Sequence, residues 1–307
     1  MKREEIPSHH GFKEKVSGRY PNDTLRLLIE RASCRDFEDR EISEDVLNLI
    51  LDAGIHAPTG GNLQPYSIIK IVSRETRNRL AEICGQDFIA RAPVNLIFCI
   101  DWHRLRRWAE LELAPFTATD SFRHFWISFQ DTIISAQNIC TAADAMGLGS
   151  VYIGTIMDLM PDIRDICALP RGVLPVVLLC LGYPRSALMV RRKLGREVIV
   201  HSEKYQEIDD QHLRDAFDEK YHRAKIEMTD ERLESIKKVC EKVHGVVFAK
   251  KCIEDIEKKG YISVAQRYFG LHYSADLMPD SNEEFLRWIK EFGFGWFEKY
   301  EPAESTH

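Results

Sequence analysis

Three residues near the start of the chain are suited to binding a phosphate group. In Arg31-x-Ser33-x-Arg35 the polar side chains alternate, so an extended backbone would turn all three to one side. Two guanidinium groups and a hydroxyl on one side form a phosphate cradle, because each guanidinium matches two phosphate oxygens. The alternative is a solvated surface on which neighbouring acidic residues neutralise the arginines.

A second stretch, Pro58 to Gln64, is suited to binding a planar heterocycle. Gly60 and Gly61 let the backbone adopt positive φ and come close to a ligand. Asn62 and Gln64 each offer an amide donor and a carbonyl acceptor, which suits the edge of a heterocyclic ring. The alternative is a tight turn and nothing more, although such a turn needs only one glycine.

Two further stretches could contact a small molecule. Residues 102–126 combine aromatic rings with charges and include His103 and His124 as candidate substrate contacts. This stretch could form a lid over a planar ligand, pack against a partner subunit, or cover the core. Residues 191–193 form a concentrated positive patch, or alternatively a solvated turn.

The elements that position these stretches follow from apolar periodicity. Helical spacing predicts helices at 24–30, 74–84, 128–146 and 158–168, together with one that ends before Pro58. Apolar runs predict buried strands at 67–72, 94–100, 150–154 and 175–183. Gly147 is suited to a left-handed helix cap. We expect the helix at 128–146 to be buried, because apolar residues cover much of its surface.

The last third of the chain has a different composition. Charged helical segments run from about residue 206 to 259, where an apolar stripe extends from Ile236 to Val247. Residues 261–298 are rich in aromatic side chains, which makes them too apolar for a disordered tail. We expect this part to pack on the main domain, on a partner subunit, or as a small helical module.

Composition excludes several classes of protein. The 307 residues are 44% hydrophobic, with a net charge of -6, which argues against a general nucleic-acid binder and against docking on anionic membranes. We expect a cytoplasmic protein, because no apolar run reaches the length of a membrane span and the first ten residues lack a signal-peptide core. The eight cysteines include no Cys-x-x-Cys pair, so we expect core residues such as Cys99 and Cys180 and no metal site.

Five segments, in order along the chain, resemble the nitroreductase family of flavin enzymes. They are 31–37, 57–66, 147–154, 181–184 and the basic turn at 191–193. The resemblance implies an α+β fold, a three-layer sandwich with a mixed sheet flanked by helices, working as an intertwined homodimer. The resemblance covers about residues 24–205, so we divide the chain into an N-terminal arm (1–22), an FMN-binding domain (23–205) and, outside the resemblance, a mostly helical C-terminal extension (206–307).

The resemblance also implies a site for FMN at the dimer interface. Arg31, Ser33 and Arg35 would hold the FMN phosphate, and either Arg192 or Lys193 would close its far side. The partner subunit would line the flavin with the Pro58–Gln64 stretch. The contacts there are Pro58, Thr59, Gly60, Asn62 and Gln64.

The backbone at Ile153 and Gly154 would lie near the reactive N5 edge of the flavin. Many members carry a polar or acidic side chain where Ile153 stands, so only the backbone contact carries over. The resemblance names no catalytic acid or nucleophile.

The reaction implied is hydride transfer from NADH or NADPH to an oxidised acceptor, such as a nitroaromatic or a quinone, with ping-pong kinetics. Residues 102–126 should decide which acceptor is used. One alternative is a specialised reaction, such as reductive dehalogenation, enone reduction or flavin breakdown. Others are a flavin-binding carrier or sensor with little turnover, and a phosphate-binding regulatory domain that uses Arg31 and Arg35.

Overall fold

The structure, a computed structural model, describes residues 20–301. The arm predicted for residues 1–22 therefore lies almost wholly outside the described residues. The chain divides into two compact units. The first runs to Val190 and is completed by the chain from Trp288 onward, and the second is Arg191–Arg287.

The first unit is built on a four-stranded sheet in the order β1-β2-β4-β3. The strands are β1 (Tyr66–Ile71), β2 (Val94–Asp101), β3 (Gly149–Ile153) and β4 (Val173–Gly182). Every position of β2 and β4 is buried, which requires cover on both faces of the sheet. The four strands pair antiparallel, and parallel pairing among residues 20–301 is limited to a single bridge between Ser33 and Ser150.

Helices cover the sheet and confirm the predicted α+β class. They are α1 (Asp23–Glu30), α2 (Glu44–Ile55), α3 (Arg74–Cys84), α4 (Phe88–Arg91), α5 (His103–Leu111), α6 (Phe122–Ala145) and α7 (Met160–Cys167). Helix α6 packs against all four strands, while α7 packs against β4. The predicted left-handed cap is confirmed, because Gly147 follows α6 at φ 75°.

Two sequence predictions about burial are wrong in this unit. Strand β1 lies at the edge of the sheet, so only Tyr66 and Ile71 are buried and Lys70 is exposed. Helix α6 begins six residues before its predicted start, where Ser121 caps it, and leaves Ile134 40% exposed. Its buried face includes the polar side chains Ser128, Asp131, Thr132 and Ser135.

The segment that contains Phe292 and Phe294 packs into the first unit. Phe292 and Phe294 are buried, and the Phe294 ring meets Phe125 of α6 edge to face at 5.7 Å. The Phe292 carbonyl accepts a hydrogen bond from the N–H of Gly172 (2.6 Å), just before β4. Part of the predicted aromatic stretch therefore contributes to the core of the sheet domain.

The second unit is helical. It contains α8 (Arg196–Ile199), α9 (Asp210–Lys220), α10 (Asp230–His244), α11 (Val246–Lys259) and α12 (Val264–Arg267), and the chain continues through α13 (Asn282–Glu291). Ile236, Ile256 and Ile262 form its buried cluster. The predicted apolar stripe is interrupted, because Gly245 (φ 84°) separates α10 from α11 and leaves Val247 exposed.

Cys99 and Cys180 are fully buried in the sheet, as predicted for core residues. Among residues 20–301, no three His, Cys, Asp or Glu side chains are grouped so that they could hold a metal ion. In the same range no helix has the length and apolar character needed to cross a bilayer.

Candidate functional site

The loop between α2 and β1 has an unusual backbone. Residues Gly60–Asn62 form one turn of 3₁₀ helix, with Gly61 at φ 61°. Asn62 (φ 56°) and Gln64 (φ 49°) also adopt the left-handed region, which is unfavourable for residues other than glycine by about 1–3 kcal/mol each. Contacts from outside the loop must therefore hold this conformation.

Asp131 of α6 holds the start of the loop. Its two carboxylate oxygens accept from the N–H of Gly60 at 3.1 and 3.0 Å. The loop also lies close to the helix, because a Cβ on Gly60 would stand 2.8 Å from Cγ2 of Ile127. Burial raises the pKa of the Asp131 carboxyl, and the hydrogen bond from Gly60 offsets part of that rise.

Arg104 of α5 holds the end of the loop. Its Nη2 donates to the carbonyl oxygens of Gln64 (2.7 Å) and Tyr66 (2.9 Å), and its Nη1 donates to Oγ of Ser67 (3.2 Å). Asp101, at the end of β2, lies 3.6 Å from the same guanidinium. The loop is thus held by two helices whose contact residues lie 40 and 71 positions away from it along the chain.

The side chains of the loop are not all free to meet a ligand. Nε2 of Gln64 donates to the carbonyl of Ile55 (3.0 Å), and the Thr59 hydroxyl accepts from the N–H of Gln64 (3.3 Å). Pro58 and Asn62 are exposed, and the Asn62 amide has no hydrogen-bond partner within residues 20–301. Asn62 is therefore the loop residue best placed to offer an amide to a heterocycle.

The predicted phosphate cradle lies beside the ends of β3 and β4. The N–H of Cys34 donates to the carbonyl of Ser150 (2.9 Å), and Phe37 bridges to Pro184. Cys34 and Phe37 are buried, which anchors the segment. Two of the residues predicted for phosphate binding, Ser33 and Arg35, are exposed, and neither side chain has a partner within the described residues.

Arg31 departs from the arrangement predicted for it. Its Nε donates to Asp144 of α6 (3.1 Å) and its Nη2 donates to Oγ of Ser150 (3.1 Å), so the guanidinium is partly buried and already paired. Its Nη1 makes no hydrogen bond to any residue in the range 20–301. Burial raises the pKa of the Asp144 carboxyl, and Arg31 counteracts the rise.

The structure places the other predicted contacts as follows. Ile153 is buried, while Gly154 is exposed and a Cβ built on it would have no atom within 4 Å. Arg192 lies in the second unit, where its Nη1 contacts Oε1 of Glu219 at 3.5 Å. Lys193 is also exposed in that unit. The role predicted for either residue at the phosphate stays a prediction.

A pocket of about 470 Å³ adjoins the loop. Its walls include Leu63, Trp102, Leu105, Trp108, Phe116 and His124. Trp102 meets Phe116 edge to face at 5.9 Å and His124 at 6.0 Å. His124, one of the two candidate substrate contacts, lines this aromatic pocket, whereas His103 does not.

Three residues that shape the site were not predicted from the sequence: Arg104, Asp131 and Asp144. Arg104 and Asp144 look like ordinary surface charges in the sequence. Asp131 could have been identified from the sequence, because it lies on the face of α6 that the apolar spacing predicts to be buried. A charged residue at such a position usually has a specific partner.

Comparison with known proteins assigns the family. A model of the nitroreductase family matches residues 28–183. NADPH-flavin oxidoreductase from Vibrio harveyi is 32% identical over 189 residues, which are 61% of this chain and 77% of the relative. Oxygen-insensitive NADPH nitroreductase from Salmonella typhimurium is 32% identical over 191 residues, 62% of this chain and 78% of the relative.

Comparison with solved structures agrees with this assignment. The solved structure of NfrA2 from B. megaterium matches with a TM-score of 0.70 at 25% identity, covering 92% of this chain and all of that one. This coverage extends the likeness past residue 183 into the C-terminal segments. The sequence resemblance is thereby confirmed: the chain belongs to the nitroreductase family.

Proposed function

We propose that this chain passes hydride equivalents from NAD(P)H, by way of FMN, to a small oxidised acceptor such as a nitroaromatic or a quinone. The chain is an NAD(P)H-dependent oxidoreductase, as are relatives at 32% identity whose names give NADPH-flavin and nitro-compound reduction. The observation that carries the proposal is the Gly60–Gln64 loop, which Asp131 and Arg104 hold in a left-handed conformation.

The residues present fit FMN. Ser33 and Arg35 offer exposed donors without partners in the described range, and Arg31 keeps its Nη1 free. The two guanidinium groups would offer charge-assisted hydrogen bonds to a phosphate dianion, while Asp144 holds Arg31 in place. Bound FMN supplies the redox chemistry, accepting hydride and releasing electrons to a second molecule.

The residues of this chain would bind FMN and orient it. Arg31, Ser33 and Arg35 would bind the phosphate. Asn62 would offer its amide to the edge of the ring, and the open backbone at Gly154 would allow close approach of the ring system. Because Gly60 and Gly61 have no side chains, this part of the loop would let the ring system approach the backbone closely.

We propose that the site is completed in a homodimer. Helix α1 has no buried residue, and its Leu28 and Ile29 are 46% and 56% exposed. Leu49 of α2 and Trp126 of α6 are exposed by 60% and 52%. Apolar surface of this kind on several helices is typical of a face that a second copy covers.

The first test is a visible spectrum of the purified protein before and after anaerobic NADH or NADPH. Bands of oxidised flavin that bleach with either nucleotide and return with an acceptor support the proposal. Bleaching that no acceptor reverses would instead favour a flavin carrier or sensor. A colourless protein that takes up no added FMN would overturn the proposal.

The phosphate cradle is tested with Arg31→Ala combined with Arg35→Ala. Each charge-assisted contact is worth about 1.5–3 kcal/mol, so FMN affinity should fall on the order of 10²–10⁴-fold. Arg74→Ala with Arg79→Ala is the matched control, because it removes two exposed arginines from α3. Equal FMN affinity in both variants would place the phosphate elsewhere.

A further inference from the structure

Two cysteines face each other on neighbouring helices of the second unit. We propose that Cys240 of α10 and Cys252 of α11 form a reversible disulfide when the protein meets a low-molecular-weight disulfide, for which glutathione disulfide is the probe. The second unit would then carry a thiol–disulfide site that works independently of the proposed flavin reaction.

The connection between the two helices sets their register. Helices α10 and α11 pack against each other and are joined by Gly245 alone, so they run antiparallel. Ile236 of α10 and Ile256 of α11 are both members of the buried cluster of this unit. These two isoleucines therefore mark the faces that the helices turn toward each other.

Each cysteine lies on the same face as one of these isoleucines. Cys240 comes four positions after Ile236, and Cys252 comes four positions before Ile256. Residues four apart lie on one face of a helix, about one turn from each other. In an antiparallel pair both steps lead toward the connection at Gly245, so the two cysteines meet one turn above the isoleucine layer.

The contacts of the side chains agree with this register. Cys240 and Cys252 both pack against the buried cluster. Burial raises the pKa of the Cys240 thiol to about 11, and the adjacent Cys252 thiol adds to the rise. Nε2 of Gln266 donates to Sγ of Cys252 (3.9 Å) from the side of α12.

The spacing of packed helices suits a disulfide. Their axes lie about 8–10 Å apart and each Cα lies about 2.3 Å from its axis, so residues that face each other directly can reach the Cα separation of about 4.4–6.8 Å that a disulfide requires. A small reagent can also reach the pair. Cys240 and Cys252 are half-buried, as is Cys167 of α7, whereas the other five cysteines are buried.

The bond would form by thiol–disulfide exchange in two steps. The Cys252 thiolate attacks one sulfur of glutathione disulfide, which gives a mixed disulfide and releases one glutathione thiolate. The Cys240 thiolate then attacks the Cys252 sulfur and releases the second glutathione. The two cysteines thereby lose two electrons and two protons, and glutathione disulfide takes them up as two thiols.

The order of attack follows from the environment of Cys240. A thiol whose pKa is raised to about 11 by burial is rarely ionised near neutral pH, so Cys240 is unsuited to the first attack. Once Cys252 is in a mixed disulfide, it no longer adds to that rise. The second attack is also favoured because both sulfurs then belong to one chain and are already held side by side.

The test identifies the bond by mass spectrometry. The reduced full-length protein is exposed to excess glutathione disulfide without oxygen, and the remaining thiols are then blocked with N-ethylmaleimide in denaturant. Trypsin cleavage at lysines should release peptides 239–242 and 252–258, each with one cysteine. We expect these two peptides to be joined, two of the eight thiols to be lost, and dithiothreitol to restore both.

Single variants separate the two steps. Cys240→Ser should stop at the mixed disulfide of Cys252 with glutathione, whereas Cys252→Ser should take up at least tenfold less glutathione at Cys240. Cys167→Ser is the matched control, because it removes the remaining half-buried cysteine and should still give the joined peptides.

Two outcomes would overturn the inference. One is a wild type that keeps all eight thiols, and the other is a loss of thiols without a link between peptides 239–242 and 252–258. Both are read on the wild type, so neither depends on the folding of a variant. Equal glutathione uptake by Cys240→Ser and Cys252→Ser would overturn the assigned order of attack.

Discussion

Replacing Asp131 with Ala should release the Gly60–Gln64 loop. The variant loses the carboxylate that accepts from Gly60, a charge-assisted bond worth about 1.5–3 kcal/mol. Without it, the left-handed conformations of Asn62 and Gln64 are held only from the far end of the loop, by Arg104 and by the hydrogen bonds of Gln64 to Thr59 and Ile55. The native loop conformation should then be less populated by a factor on the order of 10 to 150.

FMN affinity should fall by up to that factor, because a ligand that binds one conformation loses affinity in proportion to its population. The assay is a titration of the apoprotein with FMN, in which binding is monitored through the quenching of flavin fluorescence. Gln130→Ala, a neighbouring exposed position of α6, is the control. An FMN dissociation constant for Asp131→Ala within threefold of the control would refute the argument that Asp131 holds the loop.

Asp131→Asn separates the hydrogen bond from the charge. The amide carbonyl can still accept from Gly60, so FMN affinity should stay near that of the wild type. Folding raises the pKa of Asp131 above its ordinary 3.8, so the native state binds the proton more tightly than the unfolded state. The wild type should therefore lose stability relative to Asp131→Asn as pH rises from 3.8 through the folded pKa, which denaturant unfolding at several pH values can measure.

Two further predictions concern the framework of the site. Gly182→Ala should lower the free energy of unfolding by about 1–3 kcal/mol, seen as a lower urea midpoint, because a Cβ there would lie 2.7 Å from Cδ1 of the buried Phe37. Arg104→Ala should weaken FMN binding about tenfold, since it removes the donors to the carbonyls at the loop end, each worth about 0.5–1.5 kcal/mol. The control Arg107→Ala, at an exposed position of α5, should leave FMN binding unchanged. Equal losses of FMN affinity in the two variants would contradict the conclusion that Arg104 holds the end of the loop.

The fold was most predictable where local signals decide it. Helix α3 has the predicted bounds, because apolar spacing runs through Arg74–Cys84 and Gly85 ends it in the left-handed conformation. Burial of β1 was not predictable, because it depends on where the strand lies in the sheet. The start of α6 was missed, because its first turn presents aromatic residues without a clean apolar period.

The segments proposed to bind FMN could be named as candidates from the sequence. Residue type and spacing pointed to Arg31, Ser33, Arg35 and the glycine loop, each with a purely structural alternative, and the family resemblance supplied their proposed roles. The residues that hold these segments were not predictable, because Asp131 lies 71 residues from Gly60 and Asp144 lies 113 residues from Arg31. A hydrogen bond between such distant positions exists only once the helix and the sheet have packed.

Helix α6 holds both the Gly60–Gln64 loop and the segment that contains Arg31. This arrangement raises the question whether the two segments bind FMN in the same subunit or across a homodimer. Asp131 holds the loop and Asp144 holds Arg31, about 20 Å apart along the helix at 1.5 Å per residue. An extended FMN is nearly as long as this separation, so an experiment has to decide whether the two segments of one chain serve one flavin or two different ones in a homodimer.

Mixing two defective chains distinguishes shared sites from sites within one chain. One chain carries Arg31→Ala with Arg35→Ala, and the other carries Asp131→Ala. If each site takes its arginines from one chain and its loop from the other, a mixed dimer has one intact site and one doubly defective site. Differently tagged chains, co-expressed and purified as mixed dimers, should then bind one FMN per dimer with wild-type affinity, whereas each parent dimer binds weakly. A mixed dimer without a high-affinity site would mean that the arginines and the loop of a single chain serve the same flavin.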